Sequence, residues 1–396
     1  MNKKASLNVI FLTVFIDLMG FGILIPILPT FGSKILHISD FEIGMAVAVY
    51  SLMQFLFNPV LGKLSDRFGR RPVILISLLS TAVSYLIFSF TDSFFLLIVS
   101  RILAGLGGSN IGVAQAYIAD ITEKSERSKG MGIIGAAFGL GFLFGPLIGG
   151  YLSHFSYATA GFGSAAFSFM AFLFAFFSLP ESIKQKETGL FKIRIFDLKF
   201  TKDTFKIPSV GLLITLFFII VFSMANIYGT FSILGYKIYG FTDQENGLLF
   251  GIIGLTGAIV QGGLIRILSK KFSDKPLILA GTIFMVIGLG MLPYGVNFLG
   301  VSIIIIILSI GTGILQPTLM SMVSKFSPEK GQGAILGLNQ SFASLARVLG
   351  PLWGGFSFEY IGYQFPFLTG AAFTFITFLI TLIYLNTEKI ESTKNV

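Results

Sequence analysis

The 396-residue chain is dominated by apolar residues: 54% are hydrophobic, 12% are charged and the mean hydropathy is +0.85. Soluble domains carry about 25% charged residues, so this imbalance excludes an ordinary soluble enzyme. The chain has no cysteine and two histidines, which excludes a disulfide framework and most zinc chemistry, so we expect neither a metal nor another cofactor. The net charge of +9 suggests nucleic-acid binding in a soluble chain, but here the sidedness of a membrane must be considered first.

Apolar stretches of about 20 residues, long enough to cross a bilayer as a helix, recur along the chain. The first run continues through Asp17 and Pro26 without a small-residue cleavage site, so we interpret it as a membrane span and not as a cleaved signal. The sequence predicts an all-α integral membrane protein of about twelve transmembrane helices. They are expected at residues 7–30, 41–62, 72–90, 94–118, 131–153, 158–178, 208–234, 245–267, 277–295, 299–323, 333–357 and 364–385.

Basic residues indicate the orientation of these helices, because cytoplasmic loops carry an excess of Lys and Arg. With the N-terminus in the cytoplasm, all but four of the 28 Lys and Arg residues fall in cytoplasmic segments or tails. Of these four, Lys34 and Lys237 lie outside, and Arg101 and Arg347 lie within spans. Topology therefore explains the basic surplus, and nucleic acid is not expected as a partner. We predict a multi-pass protein of the cell (inner) membrane with both termini in the cytoplasm.

A polar linker at 180–207 divides the chain into two six-helix bundles, at 1–179 and 208–386, followed by a cytoplasmic tail at 387–396. The halves share motifs: Gly-Pro-Leu-Ile-Gly-Gly at 145–150 returns as Gly-Pro-Leu-Trp-Gly-Gly at 350–355, and Phe68…Pro72 returns as Phe272…Pro276, at an offset of about 205 residues. Two pseudo-symmetric bundles favour a substrate site at the midplane and alternating access by rocking, which one chain can supply as a monomer.

Two other classes fit less well. A membrane enzyme requires clustered catalytic groups within the spans, and the sequence shows none, so we expect that the protein is not an enzyme. A receptor or scaffold is typically built with a large extramembrane domain, which we do not expect here.

The segment between the second and third predicted spans has the composition of a gate. Glycines permit close approach and a tight turn, and an acidic residue is embedded among basic ones. A simple positive-inside loop explains the arginines but not the aspartate and the glycines. The candidate gate residues are Gly62, Asp66, Arg67, Gly69, Arg70 and Arg71.

Residues 62–71 resemble the loop between helices 2 and 3 of the major facilitator superfamily, which has the pattern G-x-L-[SA]-D-R-x-G-R-R. The resemblance implies a cytoplasmic gate in which Asp66, Arg67 and Arg70 form a charge relay. The corresponding segment of the second half has Lys270 at the position of Asp66. We therefore expect the relay in the first half only.

The fifth predicted span carries regularly spaced small residues. Small residues on one helix face allow close packing against a partner helix, and Gly-Pro introduces a bend. The spacing resembles the antiporter signature of the superfamily's drug-efflux branch, which implies export; a purely structural packing face is the alternative. The residues are Gly132, Gly141, Gly145, Pro146, Gly149 and Gly150.

Asp17 is an acidic residue deep within a predicted span, where a charged carboxylate is expensive to bury. We expect it to bind protons or a cationic partner; a fixed structural interaction is the alternative. Arg101 begins the sequence Arg101-x-x-x-Gly105-x-Gly107-Gly108, similar to the superfamily's helix-4 motif. The resemblance implies that Asp17 and Arg101 pair and exchange partners during proton translocation, with the proton gradient as the energy source.

The branch that the sequence resembles most is the tetracycline/H⁺ antiporter-like group, through Phe57-Asn58-Pro59 onward and Ala119-Asp120-Ile-Thr. Tetracycline exporters carry an acidic residue in the third helix, a histidine in the eighth and an aspartate in the ninth. The corresponding stretches here, 81–85, 254–257 and 283–286, are uncharged. This difference argues against tetracycline itself as the substrate.

Polar residues in other spans are candidates for a substrate cavity or for hydrogen bonds between helices. Arg347, a charge deep within the eleventh predicted span, suggests an anionic substrate group or a lipid headgroup, with snorkelling or a helix C-terminus as the alternative. The candidate cavity residues are Asn110, Gln115, Asn226, Gln261, Gln316 and Arg347.

The sequence thus predicts a proton-coupled antiporter that exports small amphipathic compounds by alternating access, with small molecules, protons and membrane lipid as partners. The alternative is an exporter of an endogenous metabolite, a siderophore-like compound or a lipid, in which Arg347 contacts the anion.

Overall fold

The computed structural model describes residues 3–122, 127–183, 198–328 and 332–384, with side chains described there apart from 3–6, 127–133 and 332–333. Within these ranges the chain forms helices and short connections, without a β-strand. The helices of the first half are α1 (Lys3–Lys34), α2 (Asp40–Phe68), α3 (Arg70–Ser89), α4 (Phe94–Gly107), α5 (Ile111–Ile121), α6 (Arg127–Ser153) and α7 (Tyr157–Ser178). A 3-10 turn, Gly108–Asn110, joins α4 and α5 into one span.

The second half begins with the short helix α8 (Leu198–Phe205). It continues with α9 (Pro208–Lys237), α10 (Asp243–Ile259), α11 (Ile265–Lys271), α12 (Asp274–Met291), α13 (Phe298–Phe326), α14 (Gln332–Tyr360) and α15 (Phe365–Tyr384). A π-helical turn, Val260–Leu264, joins α10 and α11 into one span.

Eleven segments of the described chain are long and apolar enough to cross a membrane. The 29-residue helix α14 is not one of them, but it packs along α2 and α9, so we count it as the twelfth. The predicted all-helical membrane fold is confirmed. The predicted tail at 387–396 lies outside the described residues, and of the predicted linker the structure describes 180–183 and 198–207.

One predicted boundary is wrong in an informative way. The second span was expected to end at residue 62, with a loop to follow, but α2 runs to Phe68, and Gly69 is the only non-helical residue before α3. The backbone remains helical beyond the apolar stretch because Ser65, Asp66 and Arg67 are compatible with a helix once they reach water. The candidate gate is therefore a helix end and not a flexible loop.

The two halves meet along two seams, α2 against α14 and α6 against α10. In both seams the backbones of the two halves are in contact at the end of the molecule where α2 and α10 begin. We name this end the closed end. A β-carbon on Gly355 would overlap the carbonyl oxygen of Asp40, and one on Gly150 would lie 2.9 Å from the carbonyl oxygen of Asp243. The halves thus approach to backbone contact.

The opposite end, which carries Arg67, Arg70, Lys270 and Lys271, we name the basic end. Glycines there have open space: among the described residues, a β-carbon would meet no atom within 4 Å at Gly62, Gly135, Gly262, Gly263 or Gly337. Gly62, Gly135 and Gly337 lie on the seam helices α2, α6 and α14, and Gly262 and Gly263 lie in the π-helical turn that follows α10. The cleft between the halves therefore opens at the basic end.

Candidate transport site

Asp17 lies in the interior of α1 and is 6% exposed. Its carboxylate accepts hydrogen bonds from Asn110 Nδ2, at 3.2 Å, and from Ser168 Oγ, at 3.0 Å. Asn110 ends the 3-10 turn between α4 and α5, and Ser168 lies on α7. Three elements of the first half thus converge on this carboxylate, and two neutral donors hold it in place.

The expected pairing of Asp17 with Arg101 is absent in this conformation. Arg101 is 3% exposed and donates to the neighbouring Ser100 Oγ at 3.2 and 3.3 Å. Its guanidinium lies 5.6 Å from the ring centre of Phe88, on α3. Among the described residues no carboxylate lies within the 4 Å of an ion pair with Arg101.

Tyr50, on α2, lies near these groups. Its ring stacks on Phe21 with the centroids 5.0 Å apart, and its hydroxyl accepts a hydrogen bond of 3.0 Å from Gln54 Nε2. The charges of Asp17, Arg101 and Arg347 all lie close enough to act on this hydroxyl. Tyr50 could not be singled out from the sequence, because an aromatic residue in an apolar helix carries no distinguishing pattern.

Arg347 is the charge that the second half presents at this level. It is half-buried and donates to Ser344 Oγ, one turn earlier on α14, at 3.0 Å. Tyr228 and Tyr50 lie within range of its charge, and no ion pair joins it to a carboxylate of the described chain. The centre of the molecule therefore contains two arginines and one aspartate, none paired with another.

The uncharged cavity candidates divide into three groups. In this conformation Asn226 is fully buried on the side of α9 that packs against Gly350 and Gly354 of α14. Asn110 is also buried, where it binds Asp17. Gln115 and Gln261 are exposed, and Gln316 is half-buried.

The basic end contains an ion network centred on Arg70. Its guanidinium contacts Asp66 at 2.6 Å, Asp120 at 3.1 Å and the hydroxyl of Ser65 at 2.6 Å. The predicted Asp66–Arg70 interaction is therefore present. Asp120 has no evident role in the sequence, since it lies on α5 and only the fold brings it to this helix end.

Glu181 completes this network from the segment after α7. Its carboxylate accepts the backbone N–H of Arg70 at 2.8 Å and that of Arg71 at 3.3 Å. Gly69 has φ +113°, a conformation that disfavours other residues, and its missing side chain leaves room for Glu181. The linker is thus fixed to the start of α3.

The side chains of Arg67 and Arg71 lie apart from the network, which Arg71 joins through its backbone N–H. Arg67 stacks on Phe68, 5.7 Å from its ring centre, and Arg71 donates to the carbonyl oxygen of Phe176 at 2.6 Å. Gly62 was expected to permit close helix approach, but here it faces open space. In the described part of the second half, Lys325 pairs with Asp274 at this end, at 2.7 Å.

The small residues of α6 pack mainly against α1, the helix that carries Asp17. β-Carbons on Gly141, Gly145 and Gly149 would collide with Leu18, Gly22 and Ile23 respectively. Gly150 instead meets α10 of the other half, and the carbonyl of Pro146 contacts Gly247. Gly132 lies where only the backbone of α6 is described. The expected close packing is present. It joins α6 to α1 within the first half and to α10 across the seam between the halves.

The family model of the Major Facilitator Superfamily matches residues 10–351 and 264–396. The chain belongs to this superfamily. Its two six-helix halves, with a cleft between them, are the major facilitator fold, as the sequence analysis predicted. The resemblance to drug-efflux members is also confirmed by relatives with those names.

Two such major facilitator relatives are similar over nearly their whole length. The class C tetracycline resistance protein of Escherichia coli is 33% identical over 358 residues, which cover 89% of this chain and 89% of the relative. Multidrug resistance protein 2 of Bacillus subtilis (strain 168) is 30% identical over 393 residues, which cover 97% and 96% respectively.

Solved major facilitator structures have the same fold. The human organic anion transporter MFSD10 aligns with a TM-score of 0.71 and 24% identity, covering 96% of this chain and 100% of that one. A mutant of the nucleoside transporter NupG aligns with a TM-score of 0.80 and 12% identity, covering 95% and 99%. At these identities the likeness supports the fold alone.

Proposed function

We propose that the protein is a secondary active transporter that exports small amphipathic compounds in exchange for protons by alternating access. The observation that carries the proposal is the environment of Asp17: a carboxylate buried within the first half and held by the neutral donors Asn110 and Ser168. A buried intramembrane acid that has no fixed ion pair is suited to gain and lose a proton. Relatives named as tetracycline and multidrug resistance proteins support export.

In this proposal the basic end faces the cytoplasm, as the distribution of Lys and Arg predicts. The conformation described is then open to the inside, where a compound enters the cleft. Opening of the closed end exposes Asp17 to the outside, where a proton binds it and the compound leaves. Arg101 acts as the alternate partner of the Asp17 carboxylate during this cycle. The protein acts as a monomer in the cell (inner) membrane, with both termini in the cytoplasm.

The test is transport by purified protein in proteoliposomes with an imposed pH gradient. Lipophilic cations, neutral drugs and anionic metabolites are supplied in turn, and flux is compared between the unaltered protein and Asp17→Asn. We expect proton-driven flux of cationic or neutral compounds that Asp17→Asn abolishes, because the amide cannot release a proton. Asp203→Asn, on the exposed face of α8, is the matched control and should leave flux unchanged. Flux that persists in Asp17→Asn would overturn the assignment.

Arg347 supports a second candidate, export of a compound with an anionic group such as a metabolite, a siderophore-like compound or a lipid. Arginine binds carboxylate and phosphate well, and this one has only Ser344 as a hydrogen-bond partner among the described residues. In this case Arg347→Gln abolishes binding of anionic compounds while Asp17-dependent proton movement continues, and Arg347→Lys retains part of the binding. Equal binding of anionic and neutral compounds by Arg347→Gln and the unaltered protein would exclude this candidate.

A further inference from the structure

At the closed end, both halves carry the same series of residues. A lysine ends the first membrane-spanning helix of each half, Lys34 on α1 and Lys237 on α9, and an aspartate begins the next helix, Asp40 on α2 and Asp243 on α10. Each aspartate belongs to the pattern [ST]-D-x-E-x-G. The pattern covers residues 39–44 and 242–247, and all its positions and both lysines correspond at one constant offset.

Each lysine pairs with the aspartate of the opposite half. Lys34 Nζ lies 3.3 Å from Asp243 Oδ2, and Lys237 Nζ lies 2.7 and 2.8 Å from the two oxygens of Asp40. The aspartate side chains are the more buried partners, at 12% and 8% exposure, against 24% and 37% for Lys34 and Lys237. Loss of a lysine therefore leaves a largely desolvated carboxylate without its counter-ion.

The helix starts that carry the aspartates have the same construction. Ser39 and Glu42 form a reciprocal capping box around α2, and Thr242 and Glu245 form one around α10. These caps fix the backbone of the first turn, where the helix dipole also favours a negative charge. Asp243 additionally accepts a hydrogen bond of 2.7 Å from Tyr157. Both aspartates are thus held rigidly toward the other half.

Close backbone contacts lie one turn beyond each aspartate. A β-carbon on Gly44 would overlap the carbonyl oxygen of Pro351 and lie 3.3 Å from Cα of Gly355. In the other seam, a β-carbon on Gly247 would overlap the carbonyl oxygen of Pro146 and lie 3.1 Å from Cα of Gly150. The two seams are therefore the same interface formed twice, each with one Lys–Asp pair at its outer margin.

We propose that the exchanged pairs Lys34–Asp243 and Lys237–Asp40 form a double latch that holds the closed end shut and must open each time that end opens. The latch rests on the alternating access proposed above. The ion pairs at Arg70, Lys206 and Lys325 each join groups of one half or of the connecting helix α8. The two Lys–Asp pairs instead join one half to the other, so rocking of the halves separates them.

The chain contains no cysteine, so a single introduced thiol reports accessibility without background. Ala48, one turn beyond Gly44 on α2, is 3% exposed and is replaced by cysteine. The purified protein is placed in lipid nanodiscs, where both faces are open to a hydrophilic maleimide, and the labelling rate is measured. Lys34→Gln and Lys237→Gln are each expected to raise this rate about threefold, and their combination about tenfold, from the usual strength of partly exposed ion pairs.

Charge exchange provides the specific readout. Lys34→Asp with Asp243→Lys restores the pair in reverse, so its labelling is expected to return toward that of the unaltered latch. Lys325→Gln breaks an ion pair of similar length within one half and should leave labelling unchanged. Unchanged labelling in the double lysine variant, or no recovery on charge exchange, would overturn the latch.

A variant that adds a methyl group at the seam distinguishes failure of the latch from failure of alternating access. Gly247→Ala forces the α6–α10 seam apart without altering charge. If it exposes the cysteine while the lysine variants do not, the closed end opens but the latch is overturned. If no variant exposes the cysteine, the closed end does not open, and alternating access at this end is overturned together with the latch.

Discussion

The two ends of the molecule differ in how the halves contribute to them. At the closed end, each half presents a lysine, a capped aspartate and a close-packed glycine to the same groups of its counterpart. At the basic end, the first half has a network around Arg70 with three acidic residues, whereas the second has the pair Lys325–Asp274. Among the described residues, the internal repeat is thus visible in the contacts at the closed end and not in those at the basic end.

The difference follows from what each end must do in this conformation. Two similar halves that meet about a pseudo-twofold axis form a reciprocal interface. If a lysine of the first half contacts an aspartate of the second, the corresponding lysine of the second half contacts the corresponding aspartate of the first. A sealed end therefore needs matching residues in both halves. At the basic end the halves do not contact each other in this way. Matching residues are therefore not required there, and each half stabilises its own helix ends differently.

The largest effect is expected from two glycines of α14 that lie at opposite ends. Gly355→Val places two methyl groups against the backbone of Asp40 and Phe41 and should destabilise the protein by about 3 kcal/mol, as overpacking does. Gly337→Val enters open space and should change stability by less than about 0.5 kcal/mol. Thermal unfolding in detergent measures both. Equal losses for the two variants would contradict the assignment of closed and open ends.

An intermediate effect is expected at the basic end. Arg70→Gln removes the partner of Asp66 and Asp120 and should cost about 1–2 kcal/mol, since both carboxylates then lack a counter-ion. Lys270→Gln, at the position in the second half that corresponds to Asp66, is exposed and should change stability by less than about 0.5 kcal/mol. The same unfolding measurement compares them. A loss at Lys270 as large as that at Arg70 would show that both halves have a network.

The smallest effect is expected from the exposed pair of the second half. Lys325→Gln should cost about 0.5 kcal/mol at low salt, because ion pairs of this exposure contribute little and are screened. The difference from the unaltered protein should disappear in about 1 M salt, where charges are screened within a few ångströms. A cost that persists at high salt would indicate that this pair acts by packing.

The sequence was sufficient for features that depend on local composition. Long apolar runs predicted the spans, and the contact between Asp66 and Arg70 follows from their spacing of one helical turn. The end of α2 was misplaced because hydropathy marks where the membrane ends, whereas the helix continues to Phe68. Apolar pattern and helical backbone are separate properties.

The partners of Asp17 could not be predicted in the same way. Ser168 lies in α7, far away along the chain, and Asn110 reaches the carboxylate because the helix tightens to a 3-10 turn there. Which helices touch, and which face each presents, depends on packing of the whole half. The buried position of Asn226 has the same origin. The repeated aspartates of the latch were visible in the sequence, but their exchange between halves needed the fold.

The π-helical turn at Val260–Leu264 changes the angular position of the α11 residues around the helix axis. A π turn holds one residue more than an α-helical turn, so the residues of α11 are rotated by about 100° from where an uninterrupted helix would place them. Arg266 and Lys270, one turn apart, move together in this rotation. Deletion of one residue from the turn would restore a regular helix and rotate both charges to another side, so the direction in which this span presents its charges depends on a single inserted residue.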